Sequence, residues 1–320
     1  MVASKHSIEN NRRKTNLIIK LLVLFFVIFL SIFLILQYNI SGSSTAEKKQ
    51  LCEHLNENMT ISGELGTIPI LDLENPIVAT DSCIKTIIKS NGQKLKKGKP
   101  VLLSVTVFDS RNGQKLTGDS PKIIADVLNK KIAELHVYKK LLKSKIGERI
   151  LSYLPNKSDD RIAGEISVID ILPLHVNLVS KDVAYLNSVN KTYTKDIETG
   201  EQLPAEVKIK NAKVSFGELK SHPSKSVAYI LVKGKGQQLL KNTSPIAQYV
   251  AQNVDTKEII ETTYSNGIPK KLDLKKTYDV IGKLLVDEHV GSKVLLYLSE
   301  DDTDGKSPIL MLVDILAVQK

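Results

Sequence analysis

The sequence predicts an α+β fold built from two similar units, each an antiparallel sheet wrapped on a short helix, after an N-terminal transmembrane helix. Three observations predict it: an internal repeat, mostly extended patterning within each repeat, and one long apolar run near the start. A chain of 320 residues is long enough for two domains, each with its own buried core.

The internal repeat keeps one offset along the chain. GERILSYLP begins at Gly147 and GSKVLLYLS at Gly291, and 291 − 147 = 144. Two more pairs have the same spacing: IKTIIKSNGQKL with AYILVKGKGQQL, and ISVIDILPL with LMLVDILAV. Three ordered matches at one offset indicate duplication. We therefore predict homologous domains over 60–176 and 205–320, joined by a linker over 177–204.

Within each unit the pattern is typical of strands, because short β-branched runs are bounded by Gly, Pro, Asn and Asp. VLLSVTVF at 101–108, followed by SRNG, predicts a strand and then a turn. Apolar residues at three-to-four spacing predict a helix over 122–143 in the first unit. The second unit has a shorter helix candidate over 278–288.

Residues 17–36 are apolar apart from Lys20 and Ser31, and about 20 such residues cross a bilayer core, which predicts a transmembrane segment over 17–37. Because the preceding residues 1–16 form a basic tail, the positive-inside rule predicts a cytoplasmic tail and an extracytoplasmic body. The alternative is a signal peptide cleaved after Ala46. Both interpretations place the body outside the cytoplasm, either on a single-pass membrane anchor or secreted.

The net charge and the His and Cys residues limit the classes of function that the sequence fits. The net charge of +10 comes from scattered Lys residues, without an Arg-rich patch interleaved with aromatics, so we expect no nucleic-acid partner. The six His residues are isolated and lack metal-ligand spacing, so we expect no metal and no cofactor. Cys52 and Cys83 lie in the exported part, where a disulfide is expected to persist; two free thiols are the alternative.

Taken in order, segments of the second unit resemble the FKBP-type peptidyl-prolyl cis/trans isomerases. The segments are ILVKGKGQQL, SPIAQYVAQN, TYSNGIPKKLDL, VIGKLLVDEHVGSKVLLYLS and LMLVDILAV. The first unit repeats the order of these segments with KSNGQKL, IGERILSYLP and ISVIDIL. The resemblance therefore covers about 60–320. The lead-in ISGELGTIPIL also resembles the extracytoplasmic, tandem-domain FKBPs of actinobacteria, and FGEL at Phe216 partly repeats it.

The resemblance implies an apolar pocket that takes a prolyl amide out of water, with a few polar groups that hold the peptide. It places four residues in the catalytic part of the pocket: Tyr249, Glu261, Val280 and Ile281. It places three more in substrate binding: Ile260, Leu272 and Val313. Ile260 stands where the family has phenylalanine, and Glu261 where it has aspartate.

The sequence departs from the family's pattern in two ways. The chain has no Trp for the pocket floor, and the loop after LYLS has no tyrosine. In the first unit Thr117 or Gly118 stands at the carboxylate position, Val105 or Ser104 at the tyrosine position and Leu116 at the phenylalanine position. We therefore expect the first unit to be structural or peptide-holding.

The expected function is isomerisation or folding assistance of proline-containing exported polypeptides by a monomer, with the second unit as the catalyst. The alternative is a non-catalytic FKBP-like chaperone or peptide-binding module. A structural envelope protein without a peptide site is the third hypothesis.

Overall fold

The computed structural model describes residues 52, 55, 58–155, 164–176, 191–195, 199–210, 213–241, 243–272, 279–303 and 306–319. Residues Asn56–Lys320 form one compact unit, which contains the architecture below. The transmembrane segment predicted over 17–37 lies outside the described residues. Within them, no helix has the length and apolar character needed to cross a membrane.

Two large antiparallel sheets carry the fold, and we call the segments that contain them repeat 1 (60–176) and repeat 2 (205–320). The sheet of repeat 1 contains, in spatial order, β3 (Cys83–Ile88), β6 (Arg149–Pro155), β7 (Gly164–Leu172), β4 (Pro100–Asp109) and β5 (Lys122–Val127). The sheet of repeat 2 contains β11 (Val227–Val232), β15 (Lys293–Leu298), β16 (Ile309–Gln319), β12 (Ser244–Asn253) and β13 (Ile259–Thr262), with β14 (Lys270–Lys271) also paired to β12.

Four strands of each sheet follow the same order, and three of them start 144 residues apart. The first residues give 83 + 144 = 227 for β3 and β11, 100 + 144 = 244 for β4 and β12, and 149 + 144 = 293 for β6 and β15. A single offset that keeps equivalent strands in equivalent sheet positions is what the duplicated sequence segments predict.

One short helix packs on each large sheet, again 144 residues apart: α1 (Leu135–Leu141) and α2 (Asp279–Leu285). In α1, Val137 and Leu141 enter the core of repeat 1; in α2, Ile281 and Leu285 enter the core of repeat 2. Helix α2 lies inside the segment predicted to be helical.

The helix predicted over 122–143 is wrong in its first part, because residues Lys122–Val127 form β5. The run contains Ile123, Ile124 and Val127, whose branched side chains also suit a strand. Pairing with β4 satisfies its backbone groups and overrides the helical spacing.

Two smaller sheets complete the described structure. The first pairs β1 (Met59–Ser62) with β2 (Ile70–Leu73), and the second contains β8 (Lys191–Lys195), β9 (Gln202–Lys210) and β10 (Lys213–Leu219). Residues 177–190 of the predicted linker lie outside the described residues, but β8 and the start of β9 fall inside it. These strands form because apolar residues of β9, such as Leu203 and Val207, pack with Tyr229 and Leu312 of the larger sheet.

Each repeat also contains a buried cation–carboxylate pair between two neighbouring strands. In repeat 1, Arg149 of β6 lies opposite Asp170 of β7, with 2.6 Å between Nε and Oδ1. In repeat 2, Lys293 of β15 lies opposite Asp314 of β16 and donates to its carboxylate. Both pairs are almost fully buried and again 144 residues apart.

A preceding chain segment completes each buried pair. In repeat 1, Arg149 donates to the carbonyls of Gly63 and Glu64, while the Gly66 N–H donates to Asp170 at 2.7 Å. In repeat 2, the Val176 N–H donates to Asp314 at 3.1 Å. The FGEL segment that partly repeats the first lead-in lies in β10 instead.

The two repeats contact each other through a small apolar cluster. Leu102 and Leu172 of repeat 1 pack with Ile246, Leu316 and Ala317 of repeat 2. Neither cysteine of the chain is a free thiol: Cys52 and Cys83 are both disulfide-bonded.

Candidate functional site

The site begins on β12, whose residue Tyr249 points toward helix α2. Tyr249 lies directly opposite Val313 of β16, so the two side chains share one face of the sheet. Both are buried in one apolar cluster with Leu272 and Ile281. The structure therefore brings four of the predicted site residues into one apolar group.

Glu261 joins this group from the neighbouring strand β13. It pairs with Ala251, two residues along β12 from Tyr249, so Glu261 and Tyr249 are diagonal neighbours on one face. The Tyr249 hydroxyl and the Glu261 carboxylate are close enough for each to shift the pKa of the other. A polar pair thus stands at the edge of the apolar cluster.

The protonation states of this pair follow from its surroundings. Burial, and then the hydrogen bond to Glu261, raise the pKa of Tyr249 well above its usual value. Burial by itself raises the pKa of Glu261, but hydrogen bonds from Tyr249 and Lys270 outweigh it, so the pKa is lowered overall. At neutral pH Tyr249 is therefore a neutral donor and Glu261 an ionised acceptor.

Thr263, which sequence reasoning missed, fixes the segment that carries Glu261. Its hydroxyl accepts from the Tyr249 N–H at 2.8 Å and donates to Gln248 Oε1 at 2.6 Å. Its own N–H donates to the Tyr249 carbonyl at 2.9 Å. Because Thr263 is fully buried, these bonds hold the end of β13 against β12 and set the position of the carboxylate.

Lys270 is the second residue that the sequence did not reveal. Its Nζ lies 3.1 Å from Glu261 Oε1, and both side chains are about half exposed. The contact depends on how the chain between β13 and β14 returns to β12, which no short motif encodes. Glu261 is therefore bonded on two sides, by a buried phenol and by a solvated ammonium group.

Helix α2 covers the apolar cluster. Ile281 and Leu285 are buried and Val280 is partly buried, so aliphatic side chains fill the helix side of the cluster. Ile260 lies outside it, with 56% of its surface exposed at the rim. The loop after β15 begins as the 3₁₀ turn Glu300–Asp302, and residues 304–305 lie outside the described part.

Repeat 1 has no such polar pair at the equivalent place. Val105 lies opposite Ile169, as Tyr249 lies opposite Val313, and both residues are shifted by 144. The register therefore selects Val105 over Ser104, and the same offset gives 261 − 144 = 117, which is Thr117. The Thr117 hydroxyl accepts from the Val107 N–H at 3.3 Å, so it is engaged with the backbone.

A cavity of about 260 Å³ lies elsewhere, between the repeats. Residues of both repeats line it, among them Glu64, Asp119 and Gln237. None of the predicted site residues takes part in it.

No family model matches the sequence, and no curated protein matches it. Several solved structures are similar at low identity. FkpA from Escherichia coli is 19% identical with a TM-score of 0.28, over 31% of this chain and 51% of that chain, so the match spans about half of that protein.

A peptidyl-prolyl cis-trans isomerase from Pseudomonas syringae is 16% identical with a TM-score of 0.27, over 30% of this chain and 76% of that chain. The three FKBP domains of wheat FKBP73 are 9% identical with a TM-score of 0.27, over 75% of this chain and 95% of that chain. These neighbours are FKBP-type peptidyl-prolyl isomerases. Likenesses of this size carry no functional argument, so the function is inferred from the site itself.

Proposed function

We propose that the protein is an FKBP-like peptidyl-prolyl cis/trans isomerase whose active site lies in repeat 2. The observation that supports this most directly is that the strand register places Tyr249 and Glu261 beside each other at the edge of the apolar cluster. The sequence resemblance assigns these two residues to the pocket, and the fold brings them into contact. In repeat 1 the equivalent residues are Val105 and Thr117.

The chemistry requires no nucleophile. Rotation about an X–Pro amide meets a barrier of about 18–20 kcal/mol because resonance keeps the bond planar. The proposed wall is the edge of the apolar cluster that contains Leu272, Ile281 and Val313, and it would favour the twisted amide, which is less polar than the planar one. The Tyr249 and Glu261 pair supplies the polar edge that orients the peptide. Since aliphatic side chains take the place of the aromatic floor, we expect modest turnover.

The second candidate is a non-catalytic peptide-binding or chaperone module. Ile259 and Ile260 favour it, because both are exposed on β13 beside the site. Exposed apolar side chains on a strand suit the capture of an extended, partly unfolded chain. This function needs the apolar rim but not the Tyr249–Glu261 pair.

The site of action is proposed to be outside the cytoplasmic membrane, on proline-containing polypeptides, with the protein acting as an anchored or secreted monomer. The apolar segment 17–37 supports this location. The disulfide-bonded state of Cys52 and Cys83 also supports it, because disulfides persist in oxidising compartments.

The test is the refolding of a protein whose slow phase is limited by proline isomerisation, with the chain at micromolar concentration. We expect the wild type to accelerate the slow phase. Tyr249→Phe removes the bond to Glu261 and should lower the rate several-fold, since one hydrogen bond is worth about 1 kcal/mol. The matched control is Tyr297→Phe, a buried tyrosine on the other face of the sheet, which should keep the rate.

Absence of acceleration by the wild type would overturn the isomerase proposal. In that case, suppression of aggregation that is lost in Ile260→Ser but kept in Tyr249→Phe would establish the chaperone alternative instead.

A further inference from the structure

Repeat 1 contains a chain of three polar side chains that the isomerase proposal does not use. His136 Nε2 lies 3.1 Å from Ser152 Oγ, within hydrogen-bond distance. On the other side of the imidazole ring, Nδ1 lies 3.4 Å from Glu134 Oε2. The order is carboxylate, imidazole, hydroxyl.

Local structure explains how these residues meet. Glu134 is the N-cap residue of α1 and His136 is in its first turn, so the two are neighbours at the start of the helix. Ser152 is in β6, on the same face of the strand as Ile150, which packs in the core under α1. The helix end and the strand therefore bring imidazole and hydroxyl together without a long loop.

The same positions in repeat 2 are apolar. The offset gives 136 + 144 = 280 and 152 + 144 = 296, which are Val280 and Leu296, and both pack in the core cluster of repeat 2. Repeat 1 thus has a hydrogen-bonded polar pair where repeat 2 has two aliphatic contacts. The hydrogen bond offsets the cost of burying the serine hydroxyl.

The geometry points to a second, separate activity: Ser152 is the nucleophile of an acyl-transfer site that accepts small carboxylic esters. A hydroxyl within hydrogen-bond reach of an imidazole, itself oriented by a carboxylate, is the arrangement that activates serine. It is independent of the isomerase site, because none of its residues belongs to repeat 2.

Hydrolysis of an ester at this site would take two steps. Ser152 Oγ attacks the ester carbonyl carbon while its proton passes to His136 Nε2. The C–O bond to the alcohol then breaks, and His136 returns the proton to the leaving oxygen, which leaves an acyl-Ser152. Water, deprotonated by His136, attacks this second ester; its C–O bond to Ser152 breaks, His136 returns the proton to Ser152 Oγ, and the carboxylic acid leaves. In this proposal Glu134 orients the imidazole through its contact with Nδ1.

Burial selects the size of the substrate. Ser152 is only 2% exposed, whereas the side chains of His136 and Glu134 are 28% and 63% exposed. The cluster therefore meets solvent at the helix end, so an ester would have to approach the hydroxyl past the imidazole, which requires a small acyl group. An acetyl ester meets this requirement.

The experiment incubates the full chain with p-nitrophenyl acetate, follows release of p-nitrophenol, and locates the acetyl group by tandem mass spectrometry. We expect a burst followed by slow turnover, with acetylation at Ser152. Ser152→Ala should abolish both. His136→Gln keeps a hydrogen-bonding side chain but removes the base, and should slow acylation roughly 100-fold.

Two further variants separate chemistry from structure. Ser167→Ala removes the serine directly opposite Ser152 on β7 and should leave the burst unchanged. Ser152→Cys keeps a nucleophile at the same place and should retain acylation if Ser152→Ala fails to fold. No acetyl group at position 152 in the wild type, or equal acylation in His136→Gln, would overturn the proposal and leave the pair as a buried hydrogen bond only.

Discussion

The two repeats share the frame, by which we mean their equivalent strands, helices and buried ion pairs. They differ in the side chains that lie under the helix. Helices α1 and α2 occupy equivalent positions, and each sheet contains a buried ion pair between equivalent strands. The cluster under the helix differs: repeat 2 has a tyrosine, a carboxylate and aliphatic walls, while repeat 1 has a valine, a threonine and the Ser152–His136 pair. The shared strands, helices and ion pairs have therefore been kept in both repeats, while the side chains under the helix have changed.

The backbone conformation of two glycines explains why the starts of β6 and β15 tolerate less change than the side chains of the site. Gly147 and Gly291 have φ values of 86° and 93°, in the left-handed region that favours glycine. Their N–H groups donate to the Ile171 and Ile315 carbonyls at 2.7 and 2.8 Å. A side chain at either glycine strains the start of β6 or β15, whereas a pocket side chain changes without altering the backbone.

The largest expected effect comes from breaking the shared ion pair. Arg149→Met and Lys293→Met each leave a buried carboxylate unpaired, so each should lower the free energy of unfolding by about 3–5 kcal/mol. Arg149→Met should cost more, because Arg149 also donates to the Gly63 and Glu64 carbonyls. Urea unfolding followed by circular dichroism measures both.

The control for this prediction is Lys89→Met, at an exposed site, which should change stability by less than about 0.5 kcal/mol. If Arg149→Met and Lys293→Met behave like the control, the ion pairs do not hold the shared frame.

The next largest effect tests whether the proposed site is confined to repeat 2. Glu261→Ala should slow prolyl isomerisation about fivefold, since the Tyr249 hydroxyl loses a bond worth about 1 kcal/mol. Thr117→Ala, at the equivalent place in repeat 1, should leave the rate unchanged. Glu258→Ala, an exposed acid before β13, is the matched control. Equal losses in Glu261→Ala and Thr117→Ala would contradict a site confined to repeat 2.

A pH effect tests the end of repeat 1, where His175 packs on repeat 2. His175 stacks on Tyr264 with 5.6 Å between ring centroids. Burial first, and then Lys293, lower its pKa against the opposing effect of Asp314. The unfolded chain therefore binds a proton more readily, so stability should fall as the pH drops below about 6.5.

The measurement is the free energy of unfolding from about pH 7.5 to about pH 5. His175→Phe keeps the stacking and should flatten the slope relative to the wild type. The exposed His222→Phe should not. An unchanged slope in His175→Phe would show that burial of this imidazole does not couple stability to pH.

The smallest effect is expected at Lys270, which contacts Glu261 on its solvent-exposed side. Lys270→Ala removes a half-exposed ion pair and should cost less than about 1 kcal/mol of stability. The pKa of Glu261 should rise toward its usual value, because the Lys270 hydrogen bond and charge lower it. Carbon-13 NMR of the Glu261 carboxyl measures this rise, and the neighbouring Lys271→Ala should not produce it.

The sequence predicts the parts of the fold that repeat and the site residues that lie on regular strands. The resemblance assigns Tyr249, Glu261 and Val313 to the site, and they lie on strands whose alternation brings them to one face. Lys270 was missed because its contact depends on the path of a loop. Residues 122–127 were predicted as helix because their apolar spacing fits both structures, and only pairing with β4 decides between them.

The most direct test of the central claim, that proline recognition belongs to repeat 2, is an NMR titration of the isotopically labelled protein with a short proline-containing peptide. We expect the Tyr249, Glu261 and Val280 amides to shift in fast exchange, while the Val105, Thr117 and His136 amides stay unmoved. Shifts confined to the repeat 1 amides, or no shifts in either repeat at millimolar peptide, would contradict it.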